Sequence, residues 1–200
     1  MRLYTIQTLE VAAQLQARGQ YFPEFDKCYY LTQENDHTII KANWRFAYEW
    51  MTDQYNLRKG HDFSSAPVWW YTDLKQVAAI LKYVDTHQVV LQAEVPNELV
   101  LLHDADLWEH GPFCSRHLGF QGSGLFSDEL WAKRFDHYSQ LFDKIDSAYT
   151  KNPSAMVDTW TEVFHIRRKG EPQRVHATTQ FIHLGWLQKT ENNSQVSEDF

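Results

Sequence analysis

The chain is poor in cysteine, proline and glycine, and each scarcity excludes a class of protein. Its 200 residues include 2 cysteines, too few for a disulfide framework or a four-cysteine zinc site. The 6 prolines and 8 glycines rule out a collagen-like or low-complexity chain. Basic residues are also in deficit, because 19 Lys and Arg against 26 Asp and Glu give a formal net charge of −7. This balance argues against nucleic acid as a partner and against a polybasic membrane anchor.

Long apolar runs are missing as well. Residues 1–7 do not have the apolar core of a signal peptide. No uncharged apolar stretch approaches the roughly 18 residues that are needed to span a bilayer. We therefore expect no membrane partner and a cytoplasmic location. The chain also contains no glycine-rich motif that binds a phosphate or a dinucleotide.

The chain does contain enough apolar residues for a packed core, since 43% are hydrophobic and 15% are aromatic. Alternating apolar residues predict strands, and apolar residues at helical spacing predict helices. The predicted strands are 3–7, 27–31, 67–71, 88–95, 99–102 and two hairpin arms at 160–166 and 174–182; the predicted helices are 9–18, 39–58, 73–84 and 128–149. Helices grouped between strands favour an α+β fold over regular βαβ alternation. We predict one globular domain over residues 1–189, with a mixed or antiparallel sheet packed by about four helices, and a disordered tail at 190–200.

Capping residues predict two helix starts. Thr8 is a suitable N-cap for the first helix, and Gly19 is a suitable residue to end it. Asp104 lies in an N-cap position before a short helical turn. The cluster of His103, Asp104, Asp106 and His110 also has the residue types of a metal site. Capping and the helix dipole explain these carboxylates without a metal, so no metal site is predicted.

Five segments occur in a definite order along nearly the whole chain: 3–8, 44–51, 67–71, 100–108 and 159–164. Together they resemble a bacterial family, the domain-of-unknown-function family 3841. Two stretches depart from the family pattern. Residues 109–112 differ after Trp108, and residues 176–181 replace a pattern that begins Gln-Ala-Thr and ends Trp-Glu. If that Glu carries chemistry, its role is lost here or has moved to Gln180; the family itself implies no particular reaction.

More distantly, the layout resembles an ADP-ribosyltransferase-like fold, which implies NAD or a related nucleotide as substrate. Such a site needs an aromatic ring on which nicotinamide stacks and a polar group that stabilises an oxocarbenium-like transition state. The resemblance assigns Gln180 and Tyr71 as catalytic groups and Thr5, Gln7, Arg45 and Trp70 as ligand-binding groups. In this hypothesis Arg45 contacts an anion.

The alternative hypothesis is a non-catalytic regulatory module that binds a small molecule or a protein in an aromatic pocket. The 8 Trp and 10 Tyr favour a ring-lined cleft, although the same rings can build a core. Both hypotheses require Tyr71 to reach a cleft. The NAD hypothesis further requires Thr5 and Gln180 to lie on neighbouring strands.

Overall fold

In a computed structural model of the chain, the described residues are 1–28, 38–81, 86–110, 160–166 and 174–188. They form the helices α1 Leu9–Arg18, α2 Thr38–Lys59, α3 Leu74–Leu81 and α4 Ala105–His110. The strands are β1 Arg2–Thr8, β2 Gln20–Tyr21, β3 Val68–Tyr71, β4 Gln88–Glu94, β5 Leu101–Asp104, β6 Val175–Thr179 and β7 Ile182–His183. This combination is a single-domain α+β fold, as predicted.

Five strands form one antiparallel sheet in the order β4-β1-β3-β6-β5. β1 pairs with β4 along its whole length and meets β3 at the pair Tyr4–Tyr71. β6 lies between β3 and β5, and His176 is the partner of Tyr71. β2 and β7 form a separate two-stranded sheet. The opening strand of the chain and its late strand β6 are therefore separated by β3.

The two faces of the large sheet pack against different helices, because successive side chains of a strand point to opposite faces. On one face Trp70 belongs to a core that includes Leu3 of β1 and Leu15 of α1. On the other face Trp69 packs against a core that includes Tyr48 of α2, α4 and residues 160–164. We call these faces the α1 side and the α2 side.

The predicted capping residues are confirmed. Thr8 Oγ1 accepts a hydrogen bond from the Val11 N–H at 3.3 Å, and Gly19 follows α1 with a φ of 76°. That left-handed conformation is costly for a residue with a Cβ atom, which explains the glycine. Asp104 caps α4, because its Oδ1 accepts a hydrogen bond from the Leu107 N–H at 2.9 Å.

The long helix α2 agrees with the helix predicted at 39–58. Ala47, Tyr48, Met51 and Tyr55 are buried on one face at helical spacing. The Tyr55 hydroxyl also donates to the Leu99 carbonyl at 2.8 Å. This bond ties α2 to the connection that enters β5 and fixes the helix over its side of the sheet.

One predicted hairpin arm, residues 160–166, is wrong. Residues Thr161–Phe164 form a short 3-10 helix that begins after Trp160. Trp160 and Val163 are both buried in the α2-side core, and a helical turn brings them to the same side. The other arm is confirmed as the shorter strand β6, and residues 167–173, which connect the two predicted arms, lie outside the described residues.

Three further predictions concern residues at or beyond the limits of the described chain. The helix predicted at 128–149 and the tail at 190–200 lie outside the described residues. The strand predicted at 27–31 is wrong at its start, because Phe25–Lys27 is a short 3-10 helix, and residues 29–31 are not described. Within the described ranges, no helix combines the length and apolarity needed to cross a membrane.

Candidate functional site

Three of the six predicted site residues share the α1 side of the sheet. Thr5 and Gln7 follow Leu3 in alternation on β1, and Gln7 Nε2 donates to Thr5 Oγ1 at 2.8 Å. Trp70 is fully buried, and its Nε1 donates to Thr179 Oγ1 at 2.9 Å. The Trp70 ring is packed inside the protein and its N–H group is hydrogen-bonded to Thr179, so Trp70 is a core residue and not a ligand contact.

Gln180 follows β6 and lies on the α2 side. The Ser65 hydroxyl donates to the Gln180 backbone carbonyl at 2.8 Å and lies 3.3 Å from its Oε1. Ser65 is itself tied to α2, because Thr52 Oγ1 donates to the Ser65 carbonyl at 3.1 Å. Since β3 separates β1 from β6, Thr5 and Gln180 are not on neighbouring strands. The geometric requirement of the NAD hypothesis is therefore not met.

Arg45 is exposed on α2 and already pairs with carboxylates. Its Nη1 donates to Asp26 Oδ1 at 2.6 Å and its Nε donates to Glu49 Oε1 at 2.8 Å. The guanidinium also lies over the Phe25 ring, 5.5 Å from the ring centre. These neighbours explain its position on the surface without a bound anion.

Tyr71 belongs to a row of side chains that crosses all five strands. Directly paired residues of neighbouring strands share a face of the sheet. In sheet order, the row on the α2 side is Gln92, Tyr4, Tyr71, His176 and His103. Tyr71 is half-buried, and its ring meets the His176 ring edge-on at a centroid distance of 4.8 Å. The row thus joins one predicted site residue to two histidines that the nucleotide hypothesis did not include.

His103 and His176 are direct partners across β5 and β6, with nearly perpendicular rings 6.0 Å apart. His103 is fully buried and lies 5.5 Å from Trp69 and 6.1 Å from Trp108, between ring centroids. Within the described residues, the Nε2 atoms of both histidines are enclosed and lack a hydrogen-bond partner. An enclosed polar atom without a partner costs about 1–3 kcal/mol. Two such atoms side by side indicate a place that a polar molecule can complete.

Burial keeps both imidazoles neutral. It lowers the pKa of His103 to about 3, although a backbone hydrogen bond with Leu101 acts in the opposite direction. Burial is also the largest cause that lowers the pKa of His176 well below 6.5, and the charges of His103 and Arg174 lower it further. A neutral imidazole has one N–H donor and one acceptor lone pair. At neutral pH the two histidines can therefore exchange hydrogen bonds with a ligand without contributing charge.

An ion pair lies beside the histidine pair. Arg174 Nε donates to Asp106 Oδ1 at 2.7 Å, and both side chains are largely buried. With Asp106 in this ion pair and Asp104 capping α4, the structure explains the carboxylates that the sequence places next to His103. Over the described ranges, no group of three or more His, Cys, Asp or Glu side chains is arranged to hold a metal ion.

Sequence reasoning missed the histidine pair because His103 and His176 lie on strands far apart in the chain. No local pattern reveals it, because only the structure shows that His176 of β6 is next to the fully buried Ala177 and Thr178. A polar ring in such a strand requires partners or a functional reason.

Comparison with protein families supports the resemblance drawn from the sequence segments. The model of the family described as "Domain of unknown function (DUF3841)" matches residues 2–188. No curated protein and no solved structure matches the chain. The more distant ADP-ribosyltransferase-like layout receives no support from these comparisons. The chain is a member of the family of domain of unknown function 3841.

Proposed function

We propose that the protein is a small-molecule-binding domain whose ligand contacts Tyr71 and His176 on the α2 side of the sheet. The observation that carries the proposal is the pair of enclosed, unpartnered Nε2 atoms of His103 and His176 beside a half-buried tyrosine ring. Ligand sites commonly combine aromatic walls with a few polar groups that fix orientation. The proposal retains the hypothesis of a non-catalytic binding module. It differs in locating the ligand site at His103 and His176.

The ligand expected at this site is flat and uncharged where it meets the histidines. Neutral imidazoles supply hydrogen bonds but no charge to balance an anion. A cation is disfavoured because the positive charge of Arg174 already acts on His176. Tyr71 meets His176 through an edge-to-face contact, so a flat molecule can stack on the partly exposed tyrosine ring. A heterocycle of the nucleobase or nicotinamide type has both the flat surface and the polar edge.

NAD remains within this ligand class because it carries two such heterocycles. The geometry does not support a transfer reaction through Thr5, Tyr71 and Gln180. Thr5 lies on the α1 side of the sheet, and Gln180 follows the last residue of β6, whereas His176, the partner of Tyr71, lies near its first. We therefore propose binding rather than transfer. Release of free nicotinamide from NAD is the observable that separates the two activities.

The test is isothermal titration calorimetry with NAD, adenosine and nicotinamide. It compares the wild-type chain with His176→Phe, which keeps a ring but removes both ring nitrogens, and with His176→Gln, which keeps a donor and an acceptor. We expect at least one of the three compounds to bind and His176→Phe to weaken that binding about tenfold, the effect of one lost hydrogen bond. His176→Gln should retain most of the affinity.

The matched control is His165→Phe, because the His165 side chain is 73% exposed. This variant should bind as the wild type does, and thermal melting followed by circular dichroism establishes that each variant is folded. Absence of binding by all three compounds at millimolar concentration contradicts the proposal. Unchanged affinity in a folded His176→Phe variant also contradicts it, and release of nicotinamide from NAD would replace binding by catalysis.

A further inference from the structure

The ion pair beside the two histidines is held by two hydrogen bonds in the interior. Asp106 Oδ1 accepts a hydrogen bond from Arg174 Nε at 2.7 Å, and Asp106 Oδ2 accepts one from the Arg174 backbone N–H at 3.4 Å. The side chains of Asp106 and Arg174 are only 9% and 12% exposed. A buried charge is costly unless a charge of opposite sign compensates it. Each member of the pair therefore compensates the charge of the other.

Both members of the ion pair are tied to the strands that carry the histidines. Arg174 directly precedes β6, and its carbonyl accepts a hydrogen bond from the Ala105 N–H at 2.9 Å, which continues the pairing of β5 with β6. Residues two apart in an extended chain share a face, so Arg174 and His176 both lie on the α2 side, with Cα atoms about 7 Å apart. Asp106 is in the first turn of α4, three residues after His103. The two opposite charges thus adjoin the two histidines.

We propose that the Asp106–Arg174 ion pair determines the charge of the ligand that the site at His103 and His176 accepts. This inference rests on the proposed function, because it concerns the same ligand. While the pair is intact, an uncharged ligand meets neutral imidazoles and compensated charges. Loss of the Arg174 charge leaves the Asp106 carboxylate uncompensated and should favour a cation. Loss of the Asp106 charge leaves the guanidinium uncompensated and should favour an anion.

An ion pair that only supports the fold predicts a different result. The start of β6 is also held by Thr72 Oγ1, which donates to the Val175 carbonyl at 2.6 Å, and by the pairing of β5 and β6 at four positions. If the ion pair merely adds to these contacts, its removal displaces His176 for every ligand and weakens all ligands by a similar factor. Charge selection instead changes the ratio of affinities between ligands of different charge. The direction of that change is opposite for the two members of the pair.

The experiment uses isothermal titration calorimetry with three probes that share one ring: nicotinate is negative, nicotinamide is neutral and 1-methylnicotinamide is positive. Arg174→Gln should raise the affinity for 1-methylnicotinamide relative to nicotinamide about tenfold. Asp106→Asn should raise the affinity for nicotinate relative to nicotinamide by a similar factor. The double variant Arg174→Gln/Asp106→Asn should restore both wild-type ratios, because the pair then carries no charge. If adenosine is the neutral compound that binds, 1-methyladenosine is its positive counterpart.

Arg2→Gln is the matched control, because it removes the same charge from an exposed ion pair at the other edge of the sheet. There Arg2 Nε donates to Glu94 Oε1 at 3.0 Å, and both affinity ratios should stay at their wild-type values. Circular dichroism establishes that each variant is folded, and a variant that is unfolded in buffer is measured in sucrose, which favours the compact state.

The outcomes separate this inference from the proposed function. Wild-type ratios in the folded Arg174→Gln and Asp106→Asn variants overturn the role of the ion pair and leave the ligand site at His103 and His176 standing. A similar loss of affinity for all three probes also overturns it, since that result is expected of a structural pair. Absence of binding by every neutral probe in the wild type overturns both proposals.

Discussion

The two sides of the sheet differ in how completely their polar groups are used. On the α1 side, the buried polar side chains of the core are paired: Trp70 donates to Thr179, and Gln7 donates to Thr5. On the α2 side, four described side chains have an enclosed polar atom without a partner: His103, His176, Gln180 and Trp160. Gln76 of α3 has a fifth such atom.

This difference separates a packing surface from a surface suited to function. Unpaired buried polar atoms destabilise the folded state, so a core built only for stability has few of them. The α1 side follows that rule. The α2 side departs from it most clearly at His103 and His176, which are direct partners on neighbouring strands beside the half-buried Tyr71 ring. Completion by a bound molecule is the physical reason that we propose for this histidine pair.

The largest expected effect is a loss of stability when the packing of the α1 side is removed. Trp70→Ala should lower the free energy of unfolding by about 3–5 kcal/mol, the usual cost of deleting a fully buried aromatic side chain. Trp69→Ala is the matched variant on the α2 side and should cost less, because Trp69 is only partly buried. Urea denaturation of both variants measures the difference. A larger loss for Trp69→Ala would reverse the comparison between the two sides.

Acid should destabilise the protein through the α2 side. The folded-state pKa of His103 is about 3 and that of His176 is well below 6.5, the ordinary value for a histidine. Between pH 3 and pH 6.5 the unfolded chain therefore binds more protons than the folded protein. The free energy of unfolding therefore falls as pH drops from 6.5 toward 3, by up to about 1.4 kcal/mol per pH unit for each histidine. Urea denaturation as a function of pH measures the slope.

His176→Gln removes one of these titrating groups and should reduce that slope. Equal slopes in the wild type and in His176→Gln would show that His176 does not remain neutral in the folded state. Carboxylates titrate in the same pH range, but they are common to the wild type and His176→Gln and cancel in the comparison.

The smallest effects distinguish a paired polar group from an unpaired one. Thr179→Val leaves the Trp70 Nε1–H and the Phe181 carbonyl without their partner, and should cost about 1–3 kcal/mol of unfolding free energy. Gln180→Met removes an amide whose donors are unused and should change the unfolding free energy by less than about 1 kcal/mol. Urea denaturation compares these neighbouring residues directly. A loss in Gln180→Met as large as that in Thr179→Val would mean that the amide has a structural partner.

Local patterns predicted much of the fold. Thr8 and Gly19 identified the limits of α1 because capping depends on a few consecutive residues. The spacing of Ala47, Tyr48 and Met51 identified the buried face of α2 for the same reason. Trp160–Ile166 was misassigned because apolar residues in a short segment fit a strand or a turn equally well. Contact of Trp160 and Val163 with the α2-side core decided in favour of the 3-10 helix.

The candidate sites were less predictable. The distant ADP-ribosyltransferase-like resemblance assigned Tyr71 and Gln180 to one site; in the structure Tyr71 meets His176, whereas the Gln180 side chain lies by Ser65. The same resemblance assigned Trp70 as a ligand-binding group. Its fully buried position follows from strand alternation combined with the placement of α1, and the residue type alone does not reveal it.

By itself the sequence determined the family, the α+β class, the capped helix α1 and most of the strands, because these depend on residues near one another in the chain. The tertiary structure alone decided which strands are neighbours. It separated Thr5 from Gln180 by placing β3 between them, and it paired His103 with His176 across β5 and β6. The physical reason is that strand pairing is set by hydrogen bonds and packing between distant segments, which no local period encodes.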